Sequence, residues 1–207
     1  KVLADNNLSR PFAEIVESSL GYFIAQSWQW NCFPRFGSLV QVFCDDFILL
    51  GCVGSIQTGS MDPMRYPFPY QKTEEELKAE QPHIFEFLKT VFTVVNLGYM
   101  NVESNFEEEK IFYSLPPKPS KIHAFVQTAI IDVQERFLID SNFLHVLFSG
   151  SHNVTNVDEL IIAIITMLKK SEILNKFKMD IFCKTFSLLT GNDYRRLKIL
   201  LQRIDRI

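Results

Sequence analysis

The 207-residue sequence predicts an α+β protein: a small six-stranded antiparallel β-barrel at the N-terminus, with a helical insertion, followed by a C-terminal helical bundle. Three observations carry that prediction. Up to about residue 128, apolar and polar residues alternate with period 2 in short runs separated by turn residues, as in half-buried strands. From Asp132 the period becomes about 3.6, as in amphipathic helices. The charge changes at nearly the same place. Residues 1–150 carry eleven Lys/Arg against eighteen Asp/Glu and residues 151–207 ten against six, a swing from −7 to +4. The domains are therefore drawn at 10–128 and 132–207, with the insertion at about 73–90.

Residues 1–10 read as a lead-in. "PFAEIVESS" (11–19) and "GYFIAQSW" (21–28) are two alternating strands joined by a turn at Ser18–Gly21. "CFPRFGS" (32–38) is a loop, "LVQVFC" (39–44) the third strand and Asp45-Asp46 a short turn. "FILLGCVGSI" (47–56) is the fourth strand, in which Gly51 and Gly54 mark a bend or bulge. "QTGSMDPMRYPFPYQ" (57–71) follows, stiffened by Pro63, Pro67 and Pro69, each with its φ fixed.

Thr73 and Glu76 have capping-box spacing, in which the hydroxyl accepts from the third helical N–H and the carboxylate reaches back. Pro82 starts a second helical turn, where its missing N–H costs nothing. "VFTVVNLGYM" (91–100) is the fifth strand, "NVESNFEEEK" (101–110) a polar excursion and "IFYSL" (111–115) the sixth strand. "PPKPSKIHAFV" (116–126) reads as a stiff extended exit. Strands this closely spaced make an antiparallel meander or small barrel.

In the helical half, "VQERFLIDSNFLHVLFSG" (133–150) is one amphipathic helix ending at Gly150 as the residue beyond the C-cap. Asn156 caps "VDELIIAIITMLKK" (157–170), with Glu159 at the capping-box position and Lys169-Lys170 at the end the helix dipole favours for cations. "SEILNKFKMDIFCKTFSLLTG" (171–191) is a further helix or two short ones, stopped by Gly191, and "DYRRLKILLQRI" (193–204) is the last.

Composition and motifs exclude several function classes. Apolar content of 47 % and charged content of 22 % are ordinary for a soluble globular protein. The longest apolar run, around "LIIAI", is far short of the roughly 20 residues a spanning helix needs, and the N-terminus carries no signal-peptide pattern. Cys32, Cys44, Cys52 and Cys183 show no metal-ligand spacing and read as buried reduced thiols. They place the chain in the cytosol, or in the plastid stroma for an algal source. No phosphate-binding loop, dinucleotide fingerprint or nucleophile elbow is present. His83, His123, His145 and His152 are scattered without a second ligand at helical spacing, so neither metal nor cofactor is expected. The runs at Glu74–Glu76 and Glu107–Glu109 read as solvated faces rather than a catalytic carboxylate pair. No enzymatic activity is expected.

What remains are surfaces. Met61, Met64, Arg65, Tyr66, Phe68 and Tyr70 lie in the proline-rich loop. Its default role is a connector whose aromatics cover the barrel end, and the alternative is a pre-stiffened docking site. Arg195, Arg196 and Lys198, with Arg203, form a basic face on the last helix, and residues 103–110 form an acidic loop tip. A non-enzymatic protein-interaction module, an adaptor or assembly factor, is the leading expectation. Nucleic-acid binding by the barrel or the last helix is the alternative, disfavoured because residues 11–72 offer only Arg35, Arg65 and Lys72 as cations.

Taken in order, five motifs resemble those of the HAS-barrel family, the small barrel shared by rotary ATP synthase subunits and HerA-type DNA translocases. They are "IVESS" (15–19) with "FIAQ" (23–26), "FGSLVQV" (36–42), the glycine-bearing strand before the proline-rich loop, "EQPHIFEFLKTVF" (80–92), and "LPPKPSKIH" (115–123) with a later "DYRRL" (193–197). The whole is similar to stand-alone members of cyanobacterial type. The resemblance implies a barrel used as a docking platform, with a ring ATPase or another large assembly as the partner class. It transfers no catalytic residue, because the ATPase core is missing.

Overall fold

The computed structural model describes residues 10–62, 64, 67–101, 110–139, 141–150, 154–170 and 178–206. Among these residues seven strands are formed: β1 (Ala13–Ser18), β2 (Tyr22–Ser27), β3 (Leu39–Phe43), β4 (Phe47–Ser60), β5 (Leu88–Asn101), β6 (Ile111–Phe112) and β7 (Phe125–Thr128). Six of them close a fully antiparallel barrel in the circular order β1-β2-β5-β4-β3-β7. Closure leaves no open sheet edge along the barrel wall. The α+β class, with an N-terminal barrel and C-terminal helices, is thus as predicted.

The sixth barrel strand is not the expected one. "IFYSL" contributes only the two-residue β6, paired on the end of β5 as Tyr99↔Phe112 and Met100↔Ile111. The chain then leaves the sheet, and the Tyr113 hydroxyl donates to the Phe137 carbonyl at 2.8 Å on the helical side. Closure comes instead from β7, inside the segment expected as an extended exit. Its prolines end at 119, so Ala124 and Val126 can present carbonyls to Ile15 N (3.0 Å) and Phe12 N (3.1 Å). The last barrel strand thus ends at Thr128, and it is a different strand from the one expected.

β4 is irregular where its glycines predicted. Its pairing to β5 slips between Leu50 and Gly51 and again between Val53 and Ser55. A Cβ on Gly51 would lie 2.4 Å from Val94 Cγ1 and 2.8 Å from the Val95 carbonyl, so only glycine permits this approach. Inside the barrel pack Ala13, Ile15, Phe23, Val42, Leu49, Phe92 and Val94, all essentially inaccessible.

Among the described residues six α-helices accompany the barrel: α1 (Glu74–Glu80), α2 (Ile131–Leu138), α3 (Phe143–Ser149), α4 (Val157–Lys170), α5 (Met179–Leu189) and α6 (Tyr194–Ile204). The helix expected over 133–150 is split into α2 and α3. A new first turn starts where the Ser141 and Asn142 carbonyls accept from Leu144 and His145, and such short polar residues favour helix ends over interiors. The split turns Phe137 and Leu138, and then Phe143, Leu144 and Leu147, into one core.

Gly150 ends α3 with φ −95°, not in the left-handed region. A Cβ there would sit 3.3 Å from Val95 Cγ1, so its small size lets α3 approach β5. Gly191 is the left-handed stop that was expected, at φ +65°. Asn192 N donates back to the Ser187 carbonyl at 2.7 Å, a Schellman-type closure of α5.

α2–α6 cover the outer faces of β3, β4 and β5 in a single seam. Leu39, Leu50, Cys52, Val95 and Leu97 from the strands pack with Phe137, Leu144, Ile161, Ile164, Phe182 and Phe186 from the helices. Gly37, at φ +85°, brings the β2–β3 loop so close to α4 that a Cβ would stand 2.7 Å from Ala163 Cβ. The predicted units 10–128 and 132–207 therefore share a core.

Candidate functional site

β4 and β5 are both longer than the runs 47–56 and 91–100 from which they were expected. β2 pairs with β5 only over Val91–Val95. The pairs Thr58↔Thr90, Gly59↔Lys89 and Ser60↔Leu88 continue past that support as a two-stranded ribbon. Thr58 and Thr90 join across it by their hydroxyls at 2.7 Å, and Thr90 also donates to the Trp30 carbonyl. Met61 N donates to the Phe87 carbonyl at 2.7 Å, adding one more rung. The Ser60 hydroxyl then accepts from Asp62 N (3.2 Å) and the Asp62 carboxylate from Met64 N (2.9 Å), so the chain turns.

The insertion beyond the ribbon is α1 followed by a 3-10 helix over Pro82–Phe87. The Thr73–Glu76 capping box is complete: Thr73 N donates to Glu76 Oε2 at 2.7 Å, and Glu76 N donates to Thr73 Oγ1 at 3.3 Å. Glu76 is held below the usual carboxylate range by those bonds from Thr73. Lys72–Glu80 and Lys78–Glu74 are ion pairs. One ring fastens the insertion to the barrel: Phe85 stacks on Trp30 with centroids 5.7 Å apart.

Neither helix of the insertion buries a single residue. Instead the tip exposes large apolar groups: Met64 is 89 % accessible and Phe68 69 %, with Met61, Tyr70 and Phe87 also exposed. Phe68 and Tyr70 meet edge to face at 5.6 Å. They do not cover the barrel end as their default reading expected; they stand in solvent. Arg65 and Tyr66 lie outside the described residues, as does most of the acidic tip 103–110.

The basic helix is divided in its roles. Arg196 is turned inward onto Asp158 of α4, with Nε 3.1 and 3.0 Å and Nη2 2.7 Å from the carboxylate oxygens. Its guanidinium also lies 5.8 Å from the Phe148 ring and 5.7 Å from that of Phe186. Arg203 pairs with Glu159 at 2.7 Å, which holds that carboxyl below its usual range. Glu159 therefore serves α6 rather than its own capping box, while Asn156 Oδ1 accepts from the N–H groups of Asp158 and Glu159. Arg195 and Lys198 are exposed and form no ion pair among the described residues. Tyr194 and Ile199, also exposed, stand beside them.

Sequence reasoning missed a third surface, the open half of the barrel wall. Trp28 and Phe125 touch edge to face at 5.4 Å, and Phe43 flanks Phe125 because Val42 faces Val126 across β3–β7. All three are half-exposed. Glu14 accepts from Trp28 Nε1 at 2.9 Å and contacts His123 Nδ1 at 3.1 Å. A groove of about 310 Å³ runs beside them, lined by Phe43, Cys44, Lys118, Lys121, Ile122 and His123. Its lysines are paired to Asp46 and Asp45. The legible signal was parity. Leu39, Gln41 and Phe43 share one side of β3, opposite the barrel-filling Val40 and Val42.

Among the described residues no three His, Cys, Asp or Glu side chains converge as metal ligands. The four cysteines are unpaired thiols, but only Cys52 is fully buried; Cys32, Cys44 and Cys183 are partly buried, so fewer are fully buried than expected. Desolvation pushes the Cys44 thiol up to about 11, which keeps it protonated and a poor nucleophile at neutral pH. No helix among the described residues is long and apolar enough to cross a membrane.

No known family model and no curated protein matches the chain.

Proposed function

We propose that the protein is an interaction module, an adaptor or assembly factor, that docks other protein surfaces through the tip of the β4–β5 ribbon. The observation that carries this reading is an insertion that buries no residue of its own yet holds out Met61, Met64, Phe68, Tyr70 and Phe87. Exposed apolar groups gathered on one projection mark contact surfaces, whereas singly scattered ones do not. Pro67, Pro69 and the capped α1 restrict the tip before it binds, so little conformational freedom is lost on docking. The HAS-barrel resemblance is part of the same proposal: a six-stranded barrel serves as a rigid platform, and a ring ATPase or similar large assembly is the partner class it suggests.

The nucleic-acid alternative has less support. Residues 11–72 hold only Arg35, Arg65 and Lys72 as cations, and Arg196, Arg203, Lys118 and Lys121 are each already paired to a carboxylate. The test is affinity capture from the native host with wild-type and F68A/Y70A bait, followed by identification of what is lost. Recovery of a defined protein by wild-type bait alone supports the reading, and recovery of the same proteins by both baits overturns it.

A further inference from the structure

Two exposed surfaces of this chain are opposite in charge and alike in apolar content. The tip spanning residues 61–87 holds six carboxylates against three cations, a net −3. Glu75 and Glu86 are exposed in this segment and make no ion pair among the described residues. The segment 178–206, α5 with α6, holds seven cations against three carboxylates, a net +4. Of these cations, Arg195 and Lys198 on α6 are exposed and form no ion pair among the described residues. Tyr194 and Leu188 are each 71 % accessible and Ile199 is also exposed. The nearby acids are Asp180, Asp193 and Asp205, of which Asp193 is engaged as the α6 cap through Arg196 N at 3.0 Å. Each surface thus exposes large apolar side chains and carries a net charge, negative at the tip and positive across α5 and α6.

We propose that the partner of the ribbon tip is the α6 face of a second copy of this chain. The proposal rests on the reading of the tip as a docking surface and names its occupant. The contact is heterologous: the tip of one copy meets α6 of the next, and each copy keeps a free surface of each kind. Phe68, Met64 and Phe87 pack against Tyr194, Ile199 and Leu188, while Glu75 and Glu86 face Arg195 and Lys198. Only a few side chains take part on each side, which puts the contact in the small, transient class of interfaces. Charge between exposed groups supplies much of its selectivity, so it weakens as salt rises.

Sedimentation velocity on the full 207-residue chain, with the two charge reversals E75K/E86K and R195E/K198E, tests this directly. Wild type associates with increasing concentration at about 50 mM salt and loses about tenfold or more in affinity near 0.5 M. Either reversal alone weakens self-association by about tenfold or more, since like charges then face each other. An equimolar mixture of the two reversed variants restores association, because a lysine-bearing tip then meets a glutamate-bearing α6.

All four positions are exposed and form no ion pair among the described residues, so the fold is expected to survive. Should a reversal fail to fold, E75Q/E86Q and R195Q/K198Q read the same effect. A wild type that stays monomeric, association that ignores both reversals, or a mixture that fails to restore it each overturns the proposal. A monomeric wild type whose captured partner is still lost in F68A/Y70A points to a different protein at the tip. It removes the second copy while leaving the docking reading intact.

Discussion

The seam between barrel and helices and the tip of the β4–β5 ribbon use the same kinds of side chain in opposite ways. In the seam, Phe137, Phe143, Phe182 and Phe186 are fully enclosed by β3–β5 on one side and by other helices on the other. At the tip, Phe68, Phe87 and Met64 reach outward from an insertion that encloses nothing. A fully buried Phe contributes about 2–3 kcal/mol through the water it excludes; an exposed one contributes almost none of that until something covers it. Stability of this chain therefore resides in the seam and the barrel interior. Part of the apolar surface left over, that of Met61, Met64, Phe68, Tyr70 and Phe87, is gathered on the projection, where losing it is expected to leave the fold intact.

The comparison breaks most easily in the seam. Phe137 stacks on Tyr113 at 4.9 Å and fills the space above Gly98. Phe137→Ala is expected to cost about 3–5 kcal/mol in chemical denaturation, the range for emptying an aromatic core site. Gly51→Ala comes next, at about 1–3 kcal/mol, because its new methyl meets Val94 and the Val95 carbonyl and the strand must shift to admit it. A loss as small as that of a surface substitution at either site contradicts the assignment of stability to this part of the molecule.

An effect of intermediate size is expected where α6 is fastened to α4. Glu159 is held below its ordinary carboxyl value of 4.5 by Arg203. The fastening is then fully present above that value and is lost as pH falls through the depressed one. Acidification below about pH 4 should raise amide exchange in α6 before it does in the barrel strands. Equal onset in both would place α6 inside the cooperative core. The smallest effect belongs to the insertion: Thr73→Ala removes the α1 cap and costs about 1 kcal/mol locally. It should be visible as faster exchange in α1 with global unfolding unchanged.

Most of the barrel was legible because alternation is a strong signal where one face of a strand is buried, as in "YFIAQS" of β2. The closing strand was not. Phe125–Thr128 is four residues long, follows a proline run, and is a strand only because β1 and β3 present free edges to it. Tertiary context decides such a segment, and no local pattern records it. The break between α2 and α3 failed for a related reason. The apolar period continues across Ser141-Asn142, and only the need to turn two faces into one core divides it.

At the surfaces, the proline-rich loop could be found from composition, but its exposure depended on an insertion with no partner to pack on. Arg196 looked like its neighbours in sequence. Its engagement with Asp158, 38 residues away, is a property of the packed helices. The aromatic wall of Trp28, Phe43 and Phe125 joins three strands distant in the chain, so it comes into view only when the barrel closes.

The central claim is that the tip is made for contact and carries none of the fold's stability. It is tested most directly by following thermal unfolding and partner recovery together in the single variant F68A/Y70A. The account predicts a midpoint within about 1 °C of wild type, as for exposed substitutions worth under about 0.5 kcal/mol, with recovery of the captured partner lost. A midpoint lowered by several degrees with recovery intact would contradict it, and would make the tip part of the core after all.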